Sequence, residues 1–493
     1  MQDYAPWLEK AFSLDACEQC YTIEDIDGEI PAFIRGTYYL NGPAKFARAG
    51  LHYRHWLDGD GMVCALRFEP EQVHFTNRFV RSTKFVAEEA AGQPIFRTFG
   101  TSFAAAQMKR GIALESPVNV SVYPYHGTLL AFGEQGLPWE LDPVTLETRG
   151  VCTFGGQLNE ISPFSAHPKF DPTTGEMFNF GISFSATQPR LNLYRFDVHA
   201  QLRYRQRLRL EYPCSVHDFS LSPSCAVFYL SPYILDMGAL RHDGLTLMEA
   251  LRWEPERGSQ LLLVARATGD AIASIPIGQG YCLHLLNCFE SAHYLMIDVV
   301  EYDRPIYDQY QVVPDLFTEV GAAQPVRFVV DLRSRTCVAR YEIDYHRAPD
   351  FPALNPRQVT LPSDDFWMLG IGATGRSGRK FFNQLVHANW TDGTAGDIYL
   401  APPMCYLGGE PVFIGDPHDP STGVVLCQVF DAERTASAFA LFDAFHVARG
   451  PVGLLHIREP LPLLFHASFQ RAEEDLEKRG TNVQGFRHTM AER

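Results

Sequence analysis

Apolar and polar residues alternate along this chain in short runs with a period of two, and turn residues bound most of the runs. Residues 33–40 read as a strand that stops at Asn41-Gly42-Pro43, a turn signal. His55-Trp56-Leu57 and residues 62–66 read as a hairpin joined by Asp58-Gly59-Asp60-Gly61, whose turn residues are expected at φ > 0. Further strands are predicted at residues 73–75, 118–122, 128–132, 191–196, 226–230, 261–264, 294–298 and 423–427. Helical patterning is sparse. Residues 236–251 form a helical or irregular insertion, residues 103–114 an apolar loop or short helix, and residues 470–493 a polar, helix-compatible tail.

Such recurrence predicts an all-β protein, whether sandwich, barrel or propeller. A propeller blade takes roughly 40–50 residues, so the chain has room for about seven blades with insertions. Inner strands of a propeller converge on one axis, where side chains distant in sequence can meet.

Composition narrows the partners. The chain has 493 residues and a net charge of −16, which speaks against a nucleic-acid backbone. The alternating Arg203, Arg205, Arg207 and Arg209 read as the solvated face of one strand. The first residues lack the pattern of a signal peptide and no apolar run is of bilayer length, so a cytoplasmic protein is expected. Eleven scattered cysteines read as reduced core residues. Cys17 and Cys20 have the spacing of half a zinc knuckle, but no second CxxC follows.

Four histidines lie in apolar strand-like surroundings: His167, His217, His284 and His466. Four such imidazoles suit a buried divalent metal. A metal-bound imidazole usually gives its second N–H to a carboxylate, and Glu134, Asp350 and Glu410 stand in suitable contexts.

The motifs Gly36-Thr37-Tyr38-Tyr39-Leu40-Asn41-Gly42-Pro43, Asp58-Gly59-Asp60-Gly61-Met62, His167-Pro168-Lys169-Phe170-Asp171, Val216-His217-Asp218-Phe219, His284-Leu285-Leu286-Asn287, Glu410-Pro411-Val412-Phe413 and Phe465-His466-Ala467-Ser468-Phe469 run in order from about residue 30 to about residue 470. Together they resemble the carotenoid cleavage oxygenase superfamily. The resemblance implies a seven-bladed β-propeller with a helical and loop cap over its metal axis. It implies an Fe2+ site on His167, His217, His284 and His466, with Glu134, Asp350 and Glu410 behind all but His167. It also implies cleavage of an apolar alkene by O2, with no protein nucleophile or general base. The expected organisation is an N-terminal extension at 1–30, one catalytic propeller at 31–470 and a polar tail at 471–493.

Two residues depart from the family pattern. Asp350 stands where a glutamate is usual and is expected to need a backbone shift or a bridging water. Ala467 replaces the glycine after the last histidine. Segments around Glu147 and Trp253 resemble the stilbenoid-cleaving branch. That branch, however, carries lysine where this chain has Gly133, and a tyrosine near Thr101. A phenolate would be poorly paired in such a site, so an apocarotenoid or related polyene is expected as substrate. The alternatives are a stilbenoid or phenylpropanoid alkene and a non-catalytic propeller that binds a hydrophobic ligand. Phe99, Phe103, Tyr281 and Phe465 are expected along the channel with Gly133 and Thr101. The apolar insertions offer a peripheral membrane contact, and no obligate protein partner is implied.

Overall fold

Seven antiparallel sheets of four or five strands stand around one axis as the blades of a propeller. The computed structural model describes residues 5–109, 113–306, 312–313, 316, 320–372 and 381–472. The innermost strands, in order around the ring, are Ala467–Arg471, Ser121–Tyr125, Lys169–Phe170, Ser220–Leu221, Tyr281–Ser291, Asp350–Ala353 and Cys405–Gly415. The ring closes through pairing of Gly36–Lys45 with Ala467–Arg471, two strands from opposite ends of the described chain. Near the same seam, Gln19–Ile23 adds an outer strand to the first blade and Ile26–Gly28 adds one to the last. Residues 1–4 and the tail from 473 lie outside the described residues.

Alternation explains the blades. Val73–Phe79, for example, buries every second side chain, and each fully buried large apolar side chain contributes about 1.5–3 kcal/mol. The predicted strands at residues 128–132, 191–196, 226–230, 261–264, 294–298 and 423–427 all form, most of them longer than expected. That at 118–122 instead starts at Ser121, because Val118 takes φ +54.

Two turn readings are corrected. Asn41-Gly42-Pro43 does not end a strand but lies inside Gly36–Lys45, paired through Gly42 to Met62 and Pro43 to Gly61. The asparagine amide donates to the Ser121 carbonyl at 2.9 Å and the Val118 carbonyl at 3.2 Å. A Cβ on Gly42 would lie 2.6 Å from Leu464, so the glycine permits close approach and makes no turn. Proline, which lacks an N–H, falls at a break in register.

Asp58-Gly59-Asp60-Gly61 does not join a hairpin either. Trp56–Asp58 is a 3-10 turn capped by His55, whereas Asp60–Phe68 pairs with Gly36–Lys45 and Val73–Phe79. Gly59 has φ −64. A Cβ there would lie 2.6 Å from Phe46, and one on Gly61 would overlap the Val118 carbonyl. Both aspartates are fully buried.

Two insertions cap the axis. The first holds helix Thr83–Ala91 and the loop after it. The second holds a small sheet of Tyr233–Leu235 with Leu251–Trp253, and the short helix Leu247–Ala250. They are tied by Arg97, which donates to the Leu240 and Leu245 carbonyls at 2.9 and 3.0 Å, and by Met248 N–H to the Phe99 carbonyl at 3.0 Å. No described helix is long and apolar enough to cross a membrane.

Candidate metal centre

Each of the four histidines comes from a different blade and sits at or just before an innermost strand. His167, His217 and His466 precede Lys169–Phe170, Ser220–Leu221 and Ala467–Arg471, and His284 lies within Tyr281–Ser291. In that last strand the register shifts on both sides of Leu285. Similar breaks follow Asp350 and span Glu410 on their own inner strands. A bulge re-aims a side chain out of the regular alternation, and here three inner strands are bulged where they carry a site residue.

The ligand-capable nitrogens of His167, His217, His284 and His466 lie within 4.8 Å of one another. The Nε2 atoms of His167 and His217 approach to 2.8 Å. Behind the cluster, His217 Nδ1 lies 2.9 Å from Glu134, His284 Nδ1 2.6 Å from Asp350, and His466 Nδ1 3.3 Å from Glu410. His167 contacts none of the described carboxylates at this distance; its backbone N–H donates to Ser165 Oγ at 3.3 Å.

The carboxylates settle the tautomers. Each accepts an Nδ1–H, which leaves the Nε2 lone pair of its ring facing the common centre. His284 Nε2 is buried and has no hydrogen-bond partner among the described residues. An orphaned imidazole nitrogen in a largely buried centre, beside two others 2.8 Å apart, is what a cation would satisfy. The residues therefore fit a divalent metal, and an all-imidazole set suits iron among others.

Electrostatics agree at His167 and His466. Burial, reinforced by the imidazoles of His217, His466 and His284, holds the His167 ring well below the usual histidine range. Burial also lowers His466, against the opposing pull of Glu410. At His284 burial is outweighed by Asp350, which raises the ring, and the same contact holds the buried Asp350 carboxyl below its usual value.

Asp350 reaches its imidazole directly, without the bridging water allowed for above. The bulge supplies the missing methylene: Phe351 takes φ +50, and its N–H donates to Asp350 Oδ1 at 2.8 Å. A left-handed, non-glycine residue is a local strain accepted for that geometry. Asp350→Glu is expected to weaken metal retention about tenfold, because the longer carboxylate overfills a 2.6 Å contact. Metal titration of the variant reads this directly; unaltered affinity would show that the bulge yields freely. Asp350→Asn should weaken retention less than loss of a histidine.

The cluster opens into a cavity of about 920 Å3, with His55, Phe99, Val120, Phe351, Phe382 and Phe465 among its walls. Of the residues expected along the channel, Phe99 and Phe465 line this cavity, and Thr101, Phe103, Gly133 and Tyr281 do not. Thr101 lies under the wall, donating to Asp58 Oδ2 at 2.6 Å and accepting from Arg54 N–H at 2.7 Å. It pins the loop that carries Phe99. Tyr281 packs with Tyr233 and Tyr302 at ring distances of 5.8 and 6.3 Å, outside the lining. Phe103 is half-buried elsewhere in the loop, and Gly133 is covered: a Cβ there would overlap the Ser116 hydroxyl.

Sequence reasoning missed Lys109 and Glu115. Both line the cavity and pair at 3.2 Å, so the wall does hold a cation, already met by a carboxylate. Residues 110–112 between them lie outside the described residues, and only the apolar context of Ile112 to Leu114 hinted at a cavity wall. His55, buried in the wall beneath Phe99 at a ring distance of 5.1 Å, was legible only as a strand residue. The eleven cysteines are free thiols, with Cys17 and Cys20 exposed.

The family model described as retinal pigment epithelial membrane protein matches residues 13–471. The chain is 29% identical to the apocarotenoid-15,15'-oxygenase of a Synechocystis species, over 95% of this chain and 97% of that one. It is 32% identical to the isoeugenol monooxygenase of Pseudomonas nitroreducens, over 90% and 93% of the two chains. The crystal structure of the cobalt-substituted Synechocystis oxygenase superposes with a TM-score of 0.86 at 26% identity, covering 95% of this chain and 99% of that one.

Proposed function

Since this chain belongs to the carotenoid oxygenase family, we propose that it is an Fe(II)-dependent dioxygenase that cleaves a carbon–carbon double bond of an apolar alkene with O2, giving two carbonyl products. The observation that carries the reading is four converging imidazoles, three of which (His217, His284 and His466) line a large cavity with many aromatic and aliphatic walls. Its volume lies near the top of the roughly 300–1,000 Å3 range of small-molecule sites, which suits an apocarotenoid or related polyene.

Iron, when bound, supplies the redox chemistry with oxygen. The residues supply its setting. His167, His217, His284 and His466 would hold it, and Glu134, Asp350 and Glu410 orient three of the rings and offset charge that burial would otherwise make costly. Phe99, Phe351 and Phe465 orient the alkene and keep water away from the histidines. No side chain is needed as nucleophile or general base. The apolar insertions fit uptake of such a substrate from a membrane surface.

A phenylpropanoid or stilbenoid alkene is the second reading, favoured by the likeness to an isoeugenol monooxygenase and by Lys109 in the wall. Gly133→Lys should not create a phenolate site, because Ser116 already fills the space. Iron-loaded protein incubated with a panel of apocarotenals and hydroxystilbenes under 18O2, with products trapped and weighed by mass spectrometry, decides between the readings. Two labelled carbonyl fragments from one class are expected. Label in one fragment alone would contradict the dioxygenase reading, and an iron-loaded protein that turns over neither class would be a ligand-binding propeller.

A further inference from the structure

Beside the large cavity lies a second concavity of about 310 Å3, walled by Arg190, Arg205, Arg207, Ser183 and Asn159. Ile161 and Pro163 form the ridge between the two and line both. Ile161 is 68% exposed on that ridge.

The third blade builds this wall by register. Arg190–Phe196 pairs with Leu202–Arg209, setting Asn192 opposite Arg207 and Tyr194 opposite Arg205, while Ser183 faces Arg190 from the other side. Opposed residues share a face of the sheet, so Arg205 and Arg207, two of the four arginines read from sequence as a solvated face, meet Arg190 at one hollow. Asn192 is buried, and its amide donates to the Gly181 carbonyl at 3.1 Å and Ser183 Oγ at 3.0 Å. Its oxygen then accepts from Arg205 at 3.3 Å. The guanidinium lies 5.5 Å over the ring of Tyr194. Arg205 is thereby held in place, yet its Nε is buried and donates to none of the described residues.

What is missing is a counter-charge. Neighbouring Arg195 and Arg203 take Glu176 and Asp197 at 2.6 and 3.6 Å. Arg190, Arg205 and Arg207 form no ion pair among the described residues, in a chain with 58 acidic and 42 basic residues. Three guanidinium groups gathered in one hollow repel one another unless an anion joins them, and their planar forks match a carboxylate or phosphate.

We propose that this concavity is an oxyanion-binding site, taking a carboxylate or phosphate group beside the mouth of the large cavity. Two sources share that chemistry: the acid end of a substrate or product, and the headgroup of an anionic lipid. The site stands on its own geometry and does not depend on iron or on the reaction.

Calorimetric titration of the full chain with inorganic phosphate and with cinnamate, together with flotation on phosphatidylcholine vesicles with and without phosphatidylglycerol, tests it. Saturable phosphate binding is expected, weakened about tenfold by Arg205→Gln and by Arg207→Gln and reduced by added salt. Arg207 is exposed, so its variant keeps the test open if loss of Arg205 disturbs the fold. Flotation that requires phosphatidylglycerol and is lost in both variants assigns the lipid source. Cinnamate that competes with phosphate, without flotation, assigns the substrate's acid end. Wild-type protein that binds none of the three probes, or variants that bind as tightly as the wild type, would overturn the proposal.

Discussion

His284→Ala is expected to leave a folded propeller that no longer retains iron. The substitution removes the one ring of the four whose Nε2 is buried without a hydrogen-bond partner among the described residues and whose Nδ1 holds the shortest carboxylate contact of the cluster, 2.6 Å to Asp350. Loss of a carboxylate behind a ligand typically costs about 10–100-fold in metal affinity, and loss of the ligand itself should exceed the upper end of that range. Asp350 would be left buried without its imidazole, adding a charge the vacated centre cannot pair. The variant should therefore show both a metal content near background and a small fall in thermal stability. His217→Ala is the cleaner companion: its carboxylate, Glu134, is 44% exposed on its side chain and can return to solvent. Plasma mass spectrometry of the purified proteins, backed by Co2+ titration, reads the outcome without any activity assay. Undiminished metal in either variant would sink the four-histidine assignment.

Lys84→Met should produce the largest loss of stability that any surface-remote substitution makes here. Lys84 Nζ lies 2.8 Å from Asp60, 2.9 Å from Glu88 and 2.8 Å from Tyr53 Oη, and the two carboxylates and the ammonium are fully buried. Arg48 reaches the same acids at 2.6 and 3.2 Å. With both cations present, the two buried acids are balanced. Burial works to raise Glu88, but Lys84, Tyr53 and the Ile95 N–H together hold its carboxyl below the usual value. Removing one partner of a buried pair costs about 3–5 kcal/mol. The sign with pH is fixed by the same groups. Without Lys84, the Glu88 carboxyl loses the strongest of the contacts that hold it down against burial, so the deficit grows as pH rises and shrinks as pH falls toward the carboxylate range. Chemical denaturation at two pH values tests this; a deficit under about 1 kcal/mol at neutral pH would mean that water enters the network. Glu88 also accepts from the Ile95 and Phe96 N–H groups at 3.0 and 3.1 Å, so the same change should loosen the loop that carries Phe99.

The ring of blades was legible because period-two alternation and short apolar runs are local properties: Val73–Phe79 keeps the alternation in its burial, and the apolar run Thr128–Phe132 forms a strand within the expected bounds. The four histidines were legible through ordered motifs. Illegible were features set by neighbours remote in sequence. Gly42 and Gly59 looked like turn residues, but what they make room for is Leu464 and Phe46. Thr101 looked like a channel residue because it falls near the tyrosine position of the stilbenoid-cleaving branch, whereas its hydroxyl is claimed by Asp58 from another segment. The reach of Asp350 depended on the backbone of Phe351, a dihedral that no spacing rule predicts. Lys109 was overlooked because an ion pair with Glu115 follows from how a loop folds back on itself, not from either residue alone.

The seam between Gly36–Lys45 and Ala467–Arg471 also sets an order in time. His466 adjoins the closing strand, so the fourth imidazole reaches the centre only as the two ends meet. A ribosome adding roughly 5–20 residues per second needs about 15–60 s to pass from the first of these histidines to the last. Throughout that interval the nascent chain exposes an unpaired strand edge and an incomplete set of metal donors, and both vulnerabilities end in the same closing event.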